Sequence, residues 1–214
     1  MKFLTDYQII LKDETLINIA LTHSSYSNEC GGENYERLEF LGDAILEAVS
    51  SEYFYLNTSL KEGDMSKMRA SYVCESALYE YSKKIGLIPY IKVGNGMEKD
   101  NPTIVADVFE SVLAVIYLEL GFDKVKKYIL DILIPYIESK TVFYSDYKSH
   151  LQELVQTDKK SLDYIIVSES GPAHDKTFEV EVIVDGITYG SGIGKSKKEA
   201  EQKAAKDAIE KQAK

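Results

Sequence analysis

Three carboxylates interrupt an otherwise apolar helical face in the run Glu36-Arg37-Leu38-Glu39-Phe40-Leu41-Gly42-Asp43. Residues 39 and 43 are one helical turn apart and residue 36 lies a turn earlier, so all three project to one side. Like charges at that spacing repel by roughly a few tenths of a kcal/mol per pair, and a cation between them removes the penalty. A second pair, Asp107 and Glu110, lies three apart in a segment rich in Val, Leu and Ile, and shares a face for the same reason. Two such pairs on two helices of one bundle form a hard-oxygen donor set. Magnesium takes such oxygens, keeps several waters and binds substrate phosphate directly. Two ions about 3.5–4 Å apart would divide the work, one activating water and the other stabilising the leaving oxygen of a phosphodiester. Di-iron carboxylate bundles add a Glu-x-x-His pattern; none occurs here, which favours magnesium hydrolysis over oxygen chemistry.

Carboxylates at helical spacing also describe a plain solvated face, so the elements that hold them matter. From Leu16 to about Glu138 the apolar residues recur at three-and-four spacing, and the expectation is an all-α domain over residues 1–141. Glu33 to about Tyr55 reads as one long helix. Asp64 is the expected N-cap of a helix running through Ala70, Val73 and Leu78 to Gly86, its C-terminal glycine. Thr103, after Asn101-Pro102, is the expected cap of the helix that carries Asp107 and Glu110 and ends at Gly121. A further helix over Asp123 to Glu138 closes the bundle. The periodicity breaks near Lys140 to Ser145, and residues 142–145 are read as a linker.

A small α+β domain is expected over 146–214. Its order is a helix over Asp146–Gln156, strands over Asp163–Glu169, Thr177–Val184 and Ile187–Ser191, and a helix over Ser196–Lys211. Asp185-Gly186 is a two-residue hairpin signal. This α-β-β-β-α order implies one sheet covered on one face by two helices.

The chain has 214 residues, 44% apolar and 28% charged, enough for a real core in one or two domains. Its longest apolar run, Val112 to Leu118, is far short of the roughly 20 residues a bilayer needs. The opening mixes Lys2, Asp6, Lys12, Asp13 and Glu14 into its apolar residues, so no signal-peptide core is read there and a cytoplasmic protein without membrane partners is expected. Cys30 and Cys74 are too few for a disulfide framework or zinc site. The net charge of −10 is unusual for a nucleic-acid binder. It is unevenly placed: residues 1–145 hold 14 basic against 22 acidic groups, and the rest 11 against 13. Bound cations would offset the first excess. Clustering of lysines, rather than their total, decides phosphate binding in the second.

The stretch Glu36 to Asp43, with Glu62-Gly63-Asp64-Met65-Ser66-Lys67-Met68-Arg69-Ala70 and Ala106-Asp107-Val108-Phe109-Glu110, closely resembles the signatures of the ribonuclease III family. The resemblance implies a magnesium-dependent endoribonuclease, with manganese able to substitute and no organic cofactor. The resemblance further implies cleavage of both strands of double-stranded RNA to leave 5′-phosphate and 3′-hydroxyl ends, with roles in ribosomal RNA maturation and messenger RNA turnover. It assigns Glu39, Asp43, Asp107 and Glu110 to metal positions and Asp43 and Glu110 to catalysis. It puts Glu36 and Glu62 near the RNA path or dimer contact, and Phe40 in a socket on the partner subunit of a homodimer. Ala114-Val115-Ile116-Tyr117 is bulkier than the usual Gly-Ala pair before the Tyr, and repacking is expected.

The second part resembles a double-stranded-RNA-binding domain in three places, in order: Leu151-Gln152-Glu153, Gly171-Pro172-Ala173-His174, and Lys195-Ser196-Lys197-Lys198-Glu199-Ala200. That resemblance implies that Gln152, Glu153 and His174 reach two minor grooves, while Lys195, Lys197 and Lys198 meet phosphates across the intervening major groove. Such domains span about 16 base pairs and read A-form shape. Glu201 stands where many of them carry another lysine. The competing expectation is a catalytically inactive, dimeric double-stranded-RNA-binding protein, although a scaffold has no use for stacked like charges. A helical phosphohydrolase of small molecules would leave the second module unexplained.

Overall fold

The computed structural model describes residues 1–141, 143, 147–157, 159–172 and 176–212. The chain divides into two units, Met1–Ser145 and Asp146–Lys214. The first is helical: α1 (Lys2–Thr5), α2 (Glu14–Ala20), α3 (Ser24–Cys30), α4 (Glu36–Asn57), α5 (Glu62–Tyr72), α6 (Glu75–Ile85), α7 (Pro102–Leu120) and α8 (Phe122–Glu138). Its axis is α7, apolar on nearly every side because α2, α4, α6 and α8 all pack on it. Val105, Val108, Phe109, Val112, Leu113, Ala114, Val115 and Ile116 are buried, and side chains of Val, Ile or Phe size each contribute about 1.5–3 kcal/mol. The bulkier Ala114-Val115-Ile116 segment is fully enclosed. Beyond the last helix, Phe143 is buried among the rings of Tyr72, Tyr81 and Tyr136, with centroids 5.4–6.0 Å away.

Four helix starts differ from the sequence expectation. Asp64 lies inside α5, whose first turn begins at Glu62 after Lys61, so two acids rather than one face the helix N-terminus. The helix expected to run on to Gly86 is two helices, because Val73 and Cys74 leave helical backbone and Glu75 starts a new first turn; Gly86 still ends it, in the left-handed conformation. Asn101, not Thr103, caps α7: its side chain accepts from the amides of Thr103 and Ile104 while Pro102 occupies the first turn. The long helix α4 begins at Glu36 rather than Glu33, and the Asn34 side chain accepts the Glu36 amide at 3.0 Å.

The second unit has α9 (Tyr147–Thr157), β1 (Leu162–Ser170), β2 (Thr177–Val184), β3 (Ile187–Gly194) and α10 (Lys197–Gln212), with an antiparallel sheet in the order β1-β2-β3. Asp185 and Gly186 both have positive φ, the two-residue hairpin their types demand. Phe178, Val180, Val182 and Val184 alternate inward from β2. On β3 the inward positions are Gly190, Gly192 and Gly194, and α10 lies so close that a Cβ on any of them would meet the backbone around Ala200, Ala204 or Ala208 at 2.3–2.6 Å.

An even closer approach occurs in the first unit. At Gly42 of α4, an added Cβ would stand 1.8 Å from the carbonyl oxygen of Glu110 on α7. The two helices touch backbone to backbone, with no side chain between them. Gly42→Ala is therefore expected to push α4 from α7 and cost about 1–3 kcal/mol, read as a lower thermal midpoint; an unchanged midpoint would show that this crossing tolerates a methyl group.

Candidate active site

Because Gly42 seats α4 against Glu110, acids within one turn of that crossing come into electrostatic reach of each other. Glu39 and Asp43 approach from α4, Asp107 and Glu110 from α7. Each of the three deeper carboxyls is pushed up from its ordinary range. Burial is the largest cause at Glu110, followed by the charges of Asp43, Asp107, Glu39 and Glu47, and together they raise it to about 8. Glu39 is raised by burial, then by Asp107, Glu36 and Asp43. Half-buried Asp107 is also raised by burial, against a hydrogen bond from Tyr35 that works the other way. Asp43 is exposed at the rim. The charges of Asp43 and Asp107 thus act on both Glu39 and Glu110.

Among the described residues no Lys or Arg pairs with any of these four carboxylates. Nor, among those residues, does any group of three or more His, Cys, Asp or Glu side chains converge closely enough to hold an ion by itself. The arrangement is an open, uncompensated cluster of carboxylate oxygens without thiol or imidazole donors. It fits a hard divalent cation that keeps part of its water shell, and such an ion would relieve the repulsion now raising Glu110.

The surrounding groups include several that the helical spacing did not reveal. Tyr35, 4% exposed, donates its hydroxyl to Asp107 Oδ2 at 2.8 Å. Glu47 extends the acidic row of α4 by one turn and lies 3.6 Å from the Arg69 guanidinium. His23 caps α3, its Nδ1 accepting the Ser25 amide at 3.1 Å. Phe40 is 81% exposed on the outer side of α4. Glu36 is exposed in the first turn of α4; Glu62, also exposed, accepts the Ser66 hydroxyl at 3.0 Å.

In the second unit, Gln152 is partly exposed on α9. The side chain of Glu153 and all of His174 lie outside the described residues. Lys195, Lys197 and Lys198 are exposed at the start of α10. Ser196 accepts the Glu199 amide at 3.2 Å, and the Glu199 carboxylate accepts the Lys195 amide at 2.7 Å, so the turn that presents the lysines is closed from both ends. Glu201 does not face outward as a displaced lysine position would; it takes Lys148 Nζ at 2.7 Å and ties α10 to α9.

A family model described as ribonuclease-III-like matches residues 13–137, and one described as double-stranded RNA binding motif matches residues 147–212. The chain belongs to the ribonuclease III family. It is an endoribonuclease of double-stranded RNA, with the helical nuclease unit followed by the α-β-β-β-α RNA-binding unit. It is 45% identical over 208 residues to Ribonuclease 3 of Listeria monocytogenes serotype 4a, covering 92% of this chain and 91% of that one. Against Ribonuclease 3 of Streptococcus pneumoniae serotype 19F it is 44% identical over 215 residues, 96% and 93% of the two chains. The nuclease domain of ribonuclease III from Campylobacter jejuni superposes with a TM-score of 0.58 at 34% identity, over 63% of this chain and 95% of that one. Among the described residues no helix is long and apolar enough to cross a membrane.

The raised Glu110 makes a stability prediction for the metal-free protein. Between the ordinary carboxyl range and pH 8 the folded chain holds a proton that the unfolded chain has released, so this group lowers stability progressively as pH rises. Glu110→Gln removes that dependence. In chelator, the variant should gain more than about 1 kcal/mol over the parent at pH 8 and little at pH 5. Thermal melts at the two pH values test this, and parallel pH dependence in both proteins would refute it.

Proposed function

We propose that Glu39, Asp43, Asp107 and Glu110 hold Mg2+ for double-strand cleavage, with Asp43 and Glu110 as the catalytic pair and Mn2+ as a competent substitute. The observation that carries this reading is the backbone contact of Gly42 with Glu110, which brings acids of α4 and α7 to one crossing where, among the described residues, no Lys or Arg pairs with them. Bound there, magnesium supplies an activated water and neutralises charge on the scissile phosphate and leaving oxygen. With an ion bound, Glu110 would serve as an anionic oxygen donor from the floor of the site, its proton released to solvent. Asp43, at the rim, meets the approaching backbone first. Attack of water at phosphorus with loss of the 3′ oxygen leaves 5′-phosphate and 3′-hydroxyl ends.

The working form in this proposal is a homodimer, each subunit cutting one strand. An exposed stripe of Phe40, Ala44, Ala48 and Tyr55 runs the length of α4. Near its far end is a pocket of about 200 Å³ lined by Phe54, Tyr55, Glu62, Met65, Ser66 and Arg69. Two copies related by a twofold axis, with their α4 helices antiparallel, would seat each Phe40 in the other's pocket. Glu62 then acts at the dimer contact, and Glu36, beside Glu39, on the RNA path. This division of labour assigns residues 1–141 to catalysis and dimerisation, 142–145 to the linker and 146–214 to RNA binding.

Lys195, Lys197 and Lys198 engage phosphates together with the N-terminal end of α10. Gln152 and Glu153, and His174 further along the sequence, enter successive minor grooves. Family membership supports a cytoplasmic role in maturing ribosomal RNA precursors and turning over messenger RNA.

Two measurements test the assignment. Glu110→Gln should keep its affinity for a long perfect RNA duplex while cleavage falls a hundredfold or more; equal cleavage would remove Glu110 from the chemistry. Phe40→Ala should cost about 2 kcal/mol at the interface, an approximately 30-fold rise in the dimer dissociation constant by sedimentation. An unchanged constant would move the interface elsewhere.

A further inference from the structure

Tyr35 is the residue immediately before the acidic run, and its connections reach both helices of the site. Its amide donates to the Thr22 carbonyl at 3.0 Å. Its carbonyl accepts the amides of Leu38 at 2.8 Å and Glu39 at 2.9 Å, which makes it the first acceptor of α4. The Ser111 hydroxyl of α7 donates its one hydrogen mainly to the Asp107 carbonyl at 2.8 Å and shares it weakly with the same Tyr35 carbonyl at 3.4 Å. The Tyr35 ring is buried beside the ring of His23, 5.6 Å between centroids. From that fixed base the phenol donates to one carboxylate oxygen of Asp107, Oδ2, at 2.8 Å.

We propose that Tyr35 is the positioning residue for the metal site, holding Asp107 Oδ2 so that its other oxygen faces the site, and coupling Asp107 to Glu39 through one residue. The inference rests on the reading of Asp107 as a metal ligand. A carboxylate free to rotate would lose orientational entropy on binding the ion. One already held by a phenol does not, and the directed hydrogen bond sets which lone pairs point inward. Tyr35's backbone makes the hold collective. Because its carbonyl receives the Glu39 amide, displacement of Tyr35 moves the start of α4 and Asp107 together. The hydroxyl's contribution separates cleanly from that of the backbone and ring, since Tyr35→Phe deletes a single oxygen and leaves the buried packing and the carbonyl network intact.

The test is Tyr35→Phe in the full-length chain, compared with the parent and with Asp107→Asn. Direct Mn2+ binding is measured without RNA, by titration calorimetry or the loss of the free-ion paramagnetic resonance signal. The Mg2+ dependence of cleavage is measured alongside. Tyr35→Phe is expected to weaken Mn2+ binding about tenfold. It should shift the half-maximal Mg2+ concentration upward by a similar factor, recover most of kcat at saturating Mg2+ and leave the thermal midpoint of the metal-free protein within a few degrees. Unchanged Mn2+ affinity in Tyr35→Phe, with Asp107→Asn weakened, would overturn the positioning role alone. Unchanged Mn2+ affinity in both would overturn the metal assignment of Asp107 on which it rests. A loss of cleavage that saturating Mg2+ does not restore, with Mn2+ binding intact, would also refute the proposal.

Discussion

The contact between Gly42 and the main chain of Glu110 sets the terms for the rest of the nuclease unit. A 22-residue helix and a 19-residue helix can cross at many separations, but only a residue without a side chain allows the backbones themselves to meet. That meeting fixes the rotation of both helices, because turning either one would bring a Cβ into the gap. Glu39 and Asp43 flank the contact on one side, Asp107 and Glu110 on the other. Glycine in a helix interior costs about 1 kcal/mol relative to alanine. Here the close packing it permits offsets that cost and brings four acids within electrostatic reach.

Bringing them together works against stability. Burial alone disfavours an ionised Glu110, and its neighbours add to the effect. The apolar wall of α7 nevertheless supplies enough packing for the bundle to tolerate this unfavourable patch at its surface. An arrangement that is strained when bare and relaxed by a cation ties folding energy to ligand occupancy. It is the opposite of the usual rule that buried like charges are avoided, and its placement beside the tightest helix contact argues for selection by chemistry rather than by stability.

The helical spacing of the acids, their shared face and the two-helix origin of the set were all legible in the residues. So were the sheet, the Asp185-Gly186 hairpin and the C-terminal glycine at Gly86. What escaped was whatever depends on partners remote in sequence. Tyr35 looks like an ordinary residue before a helix until Asp107, 72 positions later, is folded against it. Gly42 reads as a local weakness in a helix until its neighbour is known. The break at Val73 and Cys74 carries no Gly or Pro, so the apolar rhythm runs through it unmarked. Asn101 and Thr103 are both good caps by type, and only the hydrogen bonds to two amides distinguish the one in use. Glu201 seemed a lost phosphate contact, yet its place beside Lys148 makes it part of the packing between α9 and α10.

The seam between β3 and α10 separates two evolutionary pressures that usually interfere. Gly190, Gly192 and Gly194 admit only the small side of α10, where Ala200, Ala204 and Ala208 are fully enclosed. Lys198, Lys203 and Lys206 stand on the opposite, exposed side. Charges along that outer row, where Lys203 and Lys206 pair with Glu199 and Glu210, can therefore be exchanged without touching the inner row that secures the module. Surface chemistry and architecture are carried by separate sides of one helix.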